Sequence, residues 1–267
     1  MIFVRDKGRM CNNILQYGHM YAWGREHGRR TMSMRFAYKY QYFHICETAY
    51  HNFPMYLMAK IGAKMGFFPI VDFDNPNIEK SKSEEFLLRY NNVIAEGWYA
   101  RWYNLFLKYK QEIIDLFAFS DNIEQRIAPL LDEKLRLGVH IRRGDYATFQ
   151  KGRFYYTDEQ YIGIIRQFMN LHPQEQVHVY ICGNDPKLNK HFFTLQLPDC
   201  QISFPQGNPG EDLCLLSHCH YLIGAPSTFS LVAAMYHDRP LYWIEDIGKP
   251  LSPHDFKHFA YLFQHIY

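Results

Sequence analysis

A short segment near the middle of the chain, residues 138–146, contains four ionisable side chains: His140, Arg142, Arg143 and Asp145. It follows the apolar run Leu135 to Ile141 and so predicts a strand that ends in a polar loop. His140 and Arg142 are two residues apart and share one face if the strand continues that far. An arginine fork fits a pair of phosphate oxygens, and ligands of open α/β sheets lie beyond the carboxyl ends of the strands. Asp145 could orient one arginine. An exposed charged hairpin is the alternative, in which such pairs contribute only about 0–1 kcal/mol.

A second group of polar residues follows the predicted strand at 221–224 and precedes a predicted helix. Ser227, Thr228 and Ser230 place hydroxyl groups where the first N–H groups of a helix attract an anion. Ordinary capping of the helix by a serine or threonine accounts equally well for this pattern.

The predicted helix before that strand begins with two carboxylates, Glu211 and Asp212. A carboxylate in the first turn stabilises the helix dipole. It can also accept hydrogen bonds from the adjacent N–H donors of a guanine edge.

The chain begins with a predicted strand, residues 2–5, a glycine-containing turn at Asp6 to Gly8, and a helix from about Asn12 to His27. A strand–turn–helix unit presents backbone N–H groups to a ligand.

Alternating strands and helices in the second half predict an α/β fold with a parallel sheet. With 267 residues the chain has room for one large or two small domains. We place the boundary near Asp132 to Leu135, which gives domains 1–133 and 134–267. Further helices are predicted at 98–117, 121–132 and 187–194, and a turn at 183–186. The aromatic-rich stretch 31–80 yields no clear prediction.

Composition excludes several classes of protein. The net charge of +2 gives no field for nucleic acid, and neither GxxxxGK[ST] nor GxGxxG occurs. No apolar stretch approaches the ~20 residues that span a bilayer, and the N-terminus lacks the apolar core of a signal peptide. The six cysteines are scattered, as expected for reduced thiols. We therefore expect a cytoplasmic protein; peripheral contact with the inner membrane face stays open.

Two segments contain residues of the types that bind metals. Asp72 and Asp74 form a DxD pair that could hold Mn²⁺ or Mg²⁺ against a diphosphate, but the segment also reads as a turn. Cys214 and His218 share a helical face beside Cys219 and His220, which raises the possibility of zinc. No second pair has suitable spacing, so buried thiols and surface histidines are the favoured interpretation and no metal is expected.

Together these segments resemble the α1,2-fucosyltransferase family. The order is HIRRGDY at 140–146, YICGNDP at 180–186, DLCLLSHCHYLI at 212–223 and STFS at 227–230. The N-terminal GRMCNNILQY at 8–17 is similar to that family's GxLGNQxFQYA, and Glu96-Gly97-Trp98 to its mid-chain GYxQ. Cys11 and Asn13 depart from the family's Gly and Gln, and Leu231 from its usual Trp.

The resemblance implies a GT-B-like architecture, with two Rossmann-like domains whose parallel sheets face a cleft. It implies an inverting, metal-independent transfer of L-fucose from GDP-fucose, with no cofactor, to the 2-OH of a galactoside in a glycan acceptor. It assigns Arg142 to the β-phosphate, His140 and Asp212 to the guanine or ribose, and Arg143 to the same substrate. Ser227, Thr228 and Ser230 would line the diphosphate, with Asp145 supporting the loop. Gly8, Asn12 and Gln16 would approach from the first domain.

The residues alone leave two matters open. Asp6, Glu47, Glu96 and Asp145 are all candidates for the general base that deprotonates the acceptor. Metal-dependent transfer through Asp72 and Asp74, and a GDP-sugar-binding protein without turnover, remain alternative functions.

Overall fold

The computed structural model describes residues 1–75, 77, 79–183 and 185–266. The chain forms two compact units, Met1–Ser120 and Asp121–Tyr267. This division lies thirteen residues before the boundary that the sequence predicts, because the helix that begins at Asp121 packs with the second unit.

The first unit is built around a parallel sheet with the strand order β2-β1-β4-β3. In the described residues its strands are β1 (Ile2–Arg5), β2 (Thr31–Ser33), β3 (Ile70–Asp72) and β4 (Val93–Glu96). Its helices are α1 (Met10–Glu26), α2 (Phe53–Lys64), α3 (Lys80–Arg89), α4 (Tyr103–Lys108) and α5 (Lys110–Leu116).

The second unit contains a parallel sheet with the order β7-β6-β5-β8-β9. The described strands are β5 (Leu135–Ile141), β6 (Val177–Gly183), β7 (Gln201–Ser203), β8 (Tyr221–Gly224) and β9 (Leu241–Trp243). The helices are α6 (Asp121–Ile127), α7 (Asp158–Leu171), α8 (Lys190–Gln196), α9 (Pro209–Ser217), α10 (Thr228–His237) and α11 (Phe259–Phe263). The predicted α/β class is therefore confirmed.

Helix α7 illustrates how the sequence produces the core of the second unit. Thr157 begins it with a capping box that it forms with Gln160. The buried residues of α7, Tyr161, Ile162, Ile164, Ile165 and Phe168, recur at helical spacing and join the core around β5 and β6. Burying each such side chain contributes roughly 1.5–3 kcal/mol.

Several helices differ from their predicted bounds for local reasons. The predicted helix 98–117 is two helices, because Tyr109 leaves helical geometry between α4 and α5 (φ −102°, ψ 16°). Helix α6 ends at Ile127 and continues only as a short 3₁₀ turn that contains Pro129, since proline clashes with a continuing α-helix. Helix α8 begins three residues late, after the cap Asn189. Asn184, in the predicted turn 183–186, lies outside the described residues.

The strand order of the second unit places one pair of neighbouring strands at a topological switch point. The pair is β5, from which the chain passes to β6, and β8, from which it passes to β9 on the opposite side. Connections leave the two strands of such a pair in opposite directions, which opens a crevice beyond their carboxyl ends. No helix in the described part of the chain is both long and apolar enough to cross a bilayer.

Candidate functional site

The switch point of the second unit brings His140 and Ser227 together. His140 lies near the end of β5 beside Gly224, the last residue of β8. Its Nδ1 atom lies 3.3 Å from the Oγ of Ser227. The first two predicted segments, 138–146 and 227–230, therefore meet at the carboxyl ends of β5 and β8.

Burial, with a smaller contribution from the charge of Arg142, lowers the pKa of His140 to about 3. The imidazole stacks on the Phe229 ring at a centroid distance of 4.7 Å and an interplanar angle of 23°. His140 is therefore neutral at physiological pH and offers hydrogen bonds without carrying charge.

The guanidinium of Arg142 is held in place but not saturated. Its NH2 group donates to Asp145 Oδ2 at 2.9 Å, and its carbon lies 4.9 Å from the centroid of the Tyr146 ring. Its Nε is buried and meets no hydrogen-bond acceptor in the part of the chain that the structure describes. A partly buried cation with a buried, unused donor favours an anionic ligand. The Tyr146 hydroxyl donates to the carbonyl of Pro226, which ties this loop to the one before α10.

Arg143 lies next along the chain, but its side chain is buried among partners of its own. It donates to the Tyr156 carbonyl at 2.8 Å, to Asp185 at 3.1 Å and to Asp158 at 2.5 Å. Only 6% of the residue is exposed. These contacts give Arg143 a structural role, so its contact with the substrate stays a prediction.

The hydroxyl residues at the beginning of α10 cap the helix, and this arrangement is also compatible with an anion site. Ser227 caps the helix, with its Oγ accepting from the N–H of Ser230 at 3.3 Å. The Oγ of Ser230 accepts from the indole N–H of Trp243 at 3.1 Å. Thr228 is the first helical residue and is half-buried. The N–H groups in the first turn of an α-helix have no carbonyl partner within the helix, which is the feature that an anion site uses.

Glu211 and Asp212, the acidic pair at the start of α9, have separate roles. Glu211 accepts from the N–H of Asn208 at 3.0 Å and pairs with Arg126 at 2.7 Å. Burial, and secondly the charge of Glu211, raises the pKa of Asp212 to about 7. The Oδ1 of Asp212 is buried and accepts no hydrogen bond from any described residue. Asp212 is thus the carboxylate that a ligand with N–H donors would satisfy.

In the first unit, Gln16 holds the turn after β1. Its Nε2 donates to the Lys7 carbonyl at 2.6 Å, and its Oε1 accepts from the Lys7 N–H at 3.1 Å. Gly8 has a φ of +94°, and a Cβ there would lie 2.7 Å from the Asn12 amide nitrogen. The structure therefore brings Gly8, Asn12 and Gln16 together, and Gln16 holds the turn through its two hydrogen bonds to the Lys7 backbone.

The four candidates for the general base differ in burial. Asp6 is fully buried, accepts from the Ser33 hydroxyl, and has an Oδ1 without a partner among the described residues. Its burial raises its pKa to about 8, although the Ser33 hydrogen bond lowers it. Glu96 pairs with Arg5 at 2.9 Å, Glu47 contacts His44 at 3.1 Å, and Asp145 holds Arg142.

A cavity of about 300 Å³ in the first unit lies beside Asp6, and the sequence did not predict it. It is lined by Arg5, Asp6, Met34, Arg35, Tyr38, Tyr56 and Lys60. Its residues come from the ends of β1 and β2 and from α2, so no local sequence pattern indicates it.

Asp72 and Asp74 form a turn at the end of β3. The Oδ1 of Asp72 accepts from the Asp74 N–H at 2.9 Å. The Oδ1 of Asp74 accepts from the backbone N–H groups of Trp98 and, at 3.2 Å, of Tyr99. These bonds favour the turn interpretation over the metal interpretation.

Fold and site together define a GT-B-like α/β protein with two parallel sheets. The sequence model of glycosyl transferase family 11 matches residues 7–240, and the chain belongs to that family. No curated protein sequence matches the chain.

Among solved structures, POFUT1 in complex with GDP is similar, with a TM-score of 0.64 at 11% identity over 89% of this chain and 94% of that one. A mutant of Arabidopsis thaliana FUT1 in complex with GDP has a TM-score of 0.63 at 10% identity over 96% and 73%. NodZ alpha-1,6-fucosyltransferase soaked with GDP-fucose has 0.53 at 14% identity over 96% and 97%. At such identities the likeness establishes the fold. The predicted family and fold class are confirmed.

Proposed function

We propose that the chain is a fucosyltransferase that transfers L-fucose from GDP-fucose to a hydroxyl group of a glycan. The observation that carries this proposal is a pair of buried, unsatisfied polar atoms in the second unit. They are the Nε of Arg142 and the Oδ1 of Asp212, a donor and an acceptor without partners among the described residues. A guanosine diphosphate supplies what each needs: phosphate oxygens for the arginine and base N–H groups for the carboxylate.

The transfer breaks the bond between the fucose C1 and the β-phosphate oxygen, and the acceptor oxygen forms a new bond to C1 from the opposite face. The configuration at C1 is inverted. Negative charge grows on the leaving phosphate, and the preorganised Arg142 and the first N–H groups of α10 would stabilise it. Asp145 fixes the arginine at 2.9 Å for this purpose.

His140 contributes as a neutral side chain. With its pKa lowered to about 3 by burial and by Arg142, it adds no positive charge. It would form a hydrogen bond with the guanine or the ribose, while Ser227 orients its ring through the 3.3 Å contact.

The acceptor would bind in the cavity of the first unit. Tyr38 and Tyr56, with ring centroids 4.5 Å apart, offer faces for a sugar ring. Asp6 borders this cavity, and its pKa, raised to about 8 by burial, suits a base that takes the acceptor proton. The family resemblance supports the 2-OH of a galactoside as the attacking group.

Calorimetric titration with GDP-fucose, GDP-mannose and UDP-galactose, each in EDTA, tests the choice of the nucleotide-sugar substrate. We expect GDP-fucose to bind without a metal, and Arg142→Ala to weaken this binding. Arg153→Ala is the matched control, because Arg153 is an exposed arginine that follows the same loop. Preference for the UDP-sugar would contradict the proposal.

The same titrations separate the alternatives. Nucleotide-sugar binding that occurs only with Mn²⁺, and that is lost in Asp72→Asn, would favour metal-dependent transfer. Tight binding of GDP-fucose without any fucosylated product, across an array of galactoside acceptors, would favour a GDP-sugar-binding protein.

A further inference from the structure

A cluster of metal-ligand side chains lies outside the nucleotide site, between helices α6 and α9. Glu124 of α6 meets Cys214 of α9 and His218, the residue that ends α9. One ligand atom from each side chain lies within 4.8 Å of the other two. The cluster adds to the Cys214–His218 pair the carboxylate of Glu124, which lies ninety residues before Cys214 in the sequence.

The three side chains already point at one another. The Nε2 of His218 lies 3.3 Å from the Oε2 of Glu124, and the Sγ of Cys214 lies within 4.8 Å of a ligand atom of each. Ligand atoms around a tetrahedral zinc lie about 3.3–3.8 Å apart, given bond lengths of roughly 2.0–2.3 Å. Movements of about 1 Å would therefore bring the cluster to a zinc geometry.

A fourth ligand is close. The ring of His237, the last residue of α10, has its centroid 5.2 Å from that of His218. His237 is exposed, so its ring can reorient without repacking the core. Cys214 is fully buried, whereas Glu124 and His218 are half-buried. A metal would reach the thiol through them.

We propose that Glu124, Cys214 and His218 bind a divalent transition metal, with Zn²⁺ the ion that best suits one thiolate, one imidazole and one carboxylate, and with His237 or water as the fourth ligand. A thiolate selects against Mg²⁺ and Ca²⁺, which take oxygen ligands.

The metal would fasten α6 to the end of α9. The beginning of α9 is already held to α6 by the 2.7 Å ion pair of Arg126 with Glu211. Two anchors would then fix the axis of the helix that carries Asp212. This consequence for nucleotide binding rests on the proposed function, whereas the metal site itself does not.

Titration of the whole protein with Co²⁺, followed by absorption spectroscopy, tests the site. We expect one equivalent to produce a thiolate-to-cobalt charge-transfer band in the near ultraviolet and the visible bands of tetrahedral cobalt, with Zn²⁺ removing both. Cys214→Ala should abolish the bands, and His218→Gln should weaken binding. The matched controls are Cys200→Ala and His191→Gln, which lie in the same unit outside the cluster and should leave the bands unchanged.

Absence of a charge-transfer band, or its persistence in Cys214→Ala, would overturn the proposal. A second measurement guards against misfolding of the variants: Zn²⁺ should raise the Tm of the wild type and of Cys200→Ala, but not that of Cys214→Ala. The spectra require no nucleotide, so their failure is distinguishable from a failure of the fucosyltransferase proposal.

Discussion

The Nδ1 atom of His140 lies 3.3 Å from the Oγ of Ser227, although 87 residues separate them along the chain. One residue lies near the end of β5, and the other caps α10 just beyond β8. This contact marks the place where the two segments that we propose to bind phosphate meet.

Ser227→Ala should weaken both folding and nucleotide binding. Loss of an N-cap costs about 1 kcal/mol of unfolding free energy, and His140 loses its hydroxyl partner. Urea unfolding and GDP calorimetry measure the two effects. Thr157→Ala, which removes the cap of α7, should cost similar stability and leave GDP affinity unchanged. Equal GDP affinities for the two variants would argue against a role for Ser227 in binding.

Arg142→Ala should reduce the turnover of GDP-fucose by about 10²–10³-fold, as loss of a single oxyanion donor does. GDP release in the presence of acceptor measures this effect. The turnover of Arg142→Lys should lie between those of the wild type and Arg142→Ala, because lysine keeps the charge but cannot donate two parallel hydrogen bonds as a guanidinium does. The exposed Arg153→Ala should match the wild type. Near-normal turnover of Arg142→Ala would remove it from the mechanism.

Because Asp212 changes its charge near neutral pH, we expect nucleotide binding to depend on pH. Its pKa is raised to about 7 by burial and by Glu211, and only the carboxylate accepts from guanine. GDP affinity should therefore rise about tenfold from about pH 6 to about pH 8. Asp212→Asn should remove the component of this rise that belongs to the protein.

Comparison of GDP with inosine diphosphate sharpens this test, since inosine lacks the 2-amino group. The wild type should prefer GDP by about 1–3 kcal/mol, the value of a bidentate base contact. Asp212→Asn should lose this preference. An unchanged preference would place the guanine elsewhere.

Because Asp6 is buried, we expect the free energy of unfolding to depend on pH. Burial raises its pKa from its ordinary value of about 4 to about 8, so the folded state retains a proton that the unfolded state has released. Stability should therefore fall as the pH rises from about 4 to about 8, and level off above. Asp6→Asn should flatten this profile, whereas the exposed Asp199→Asn should not. A profile that Asp6→Asn leaves unchanged would show that Asp6 is ionised in the folded protein.

Arg143→Ala should destabilise the second unit by about 3–5 kcal/mol, because it leaves the carboxylates of Asp158 and Asp185 without their counter-ion. Chemical denaturation measures the loss. Adding Asp158→Asn and Asp185→Asn should recover part of it. If Arg143→Ala kept its stability and lost GDP binding, the arginine would be a ligand contact after all.

Much of the second unit could be predicted from the sequence. β8 has its predicted bounds, Tyr221–Gly224, and β5 has those of Leu135–Ile141. Strands buried on both faces of a parallel sheet are short apolar runs, and turn residues and caps bound them clearly. The motif residues His140, Arg142 and Ser227 could be found for the same reason: each follows or ends such a run.

Tertiary structure alone decided the rest. Arg142 and Arg143 are neighbours of one type, yet the Nε of the first has no acceptor among the described residues, and the second is bound by three partners. β5 ends at Ile141, and Arg143 has backbone angles in the helical region (φ −118°, ψ −68°), so the alternation of a strand does not determine where the two side chains point. Packing alone places Arg143 among its carboxylates. The burial of Asp6 and the approach of Glu124 to Cys214 and His218 likewise depend on contacts between distant segments, which no local pattern encodes.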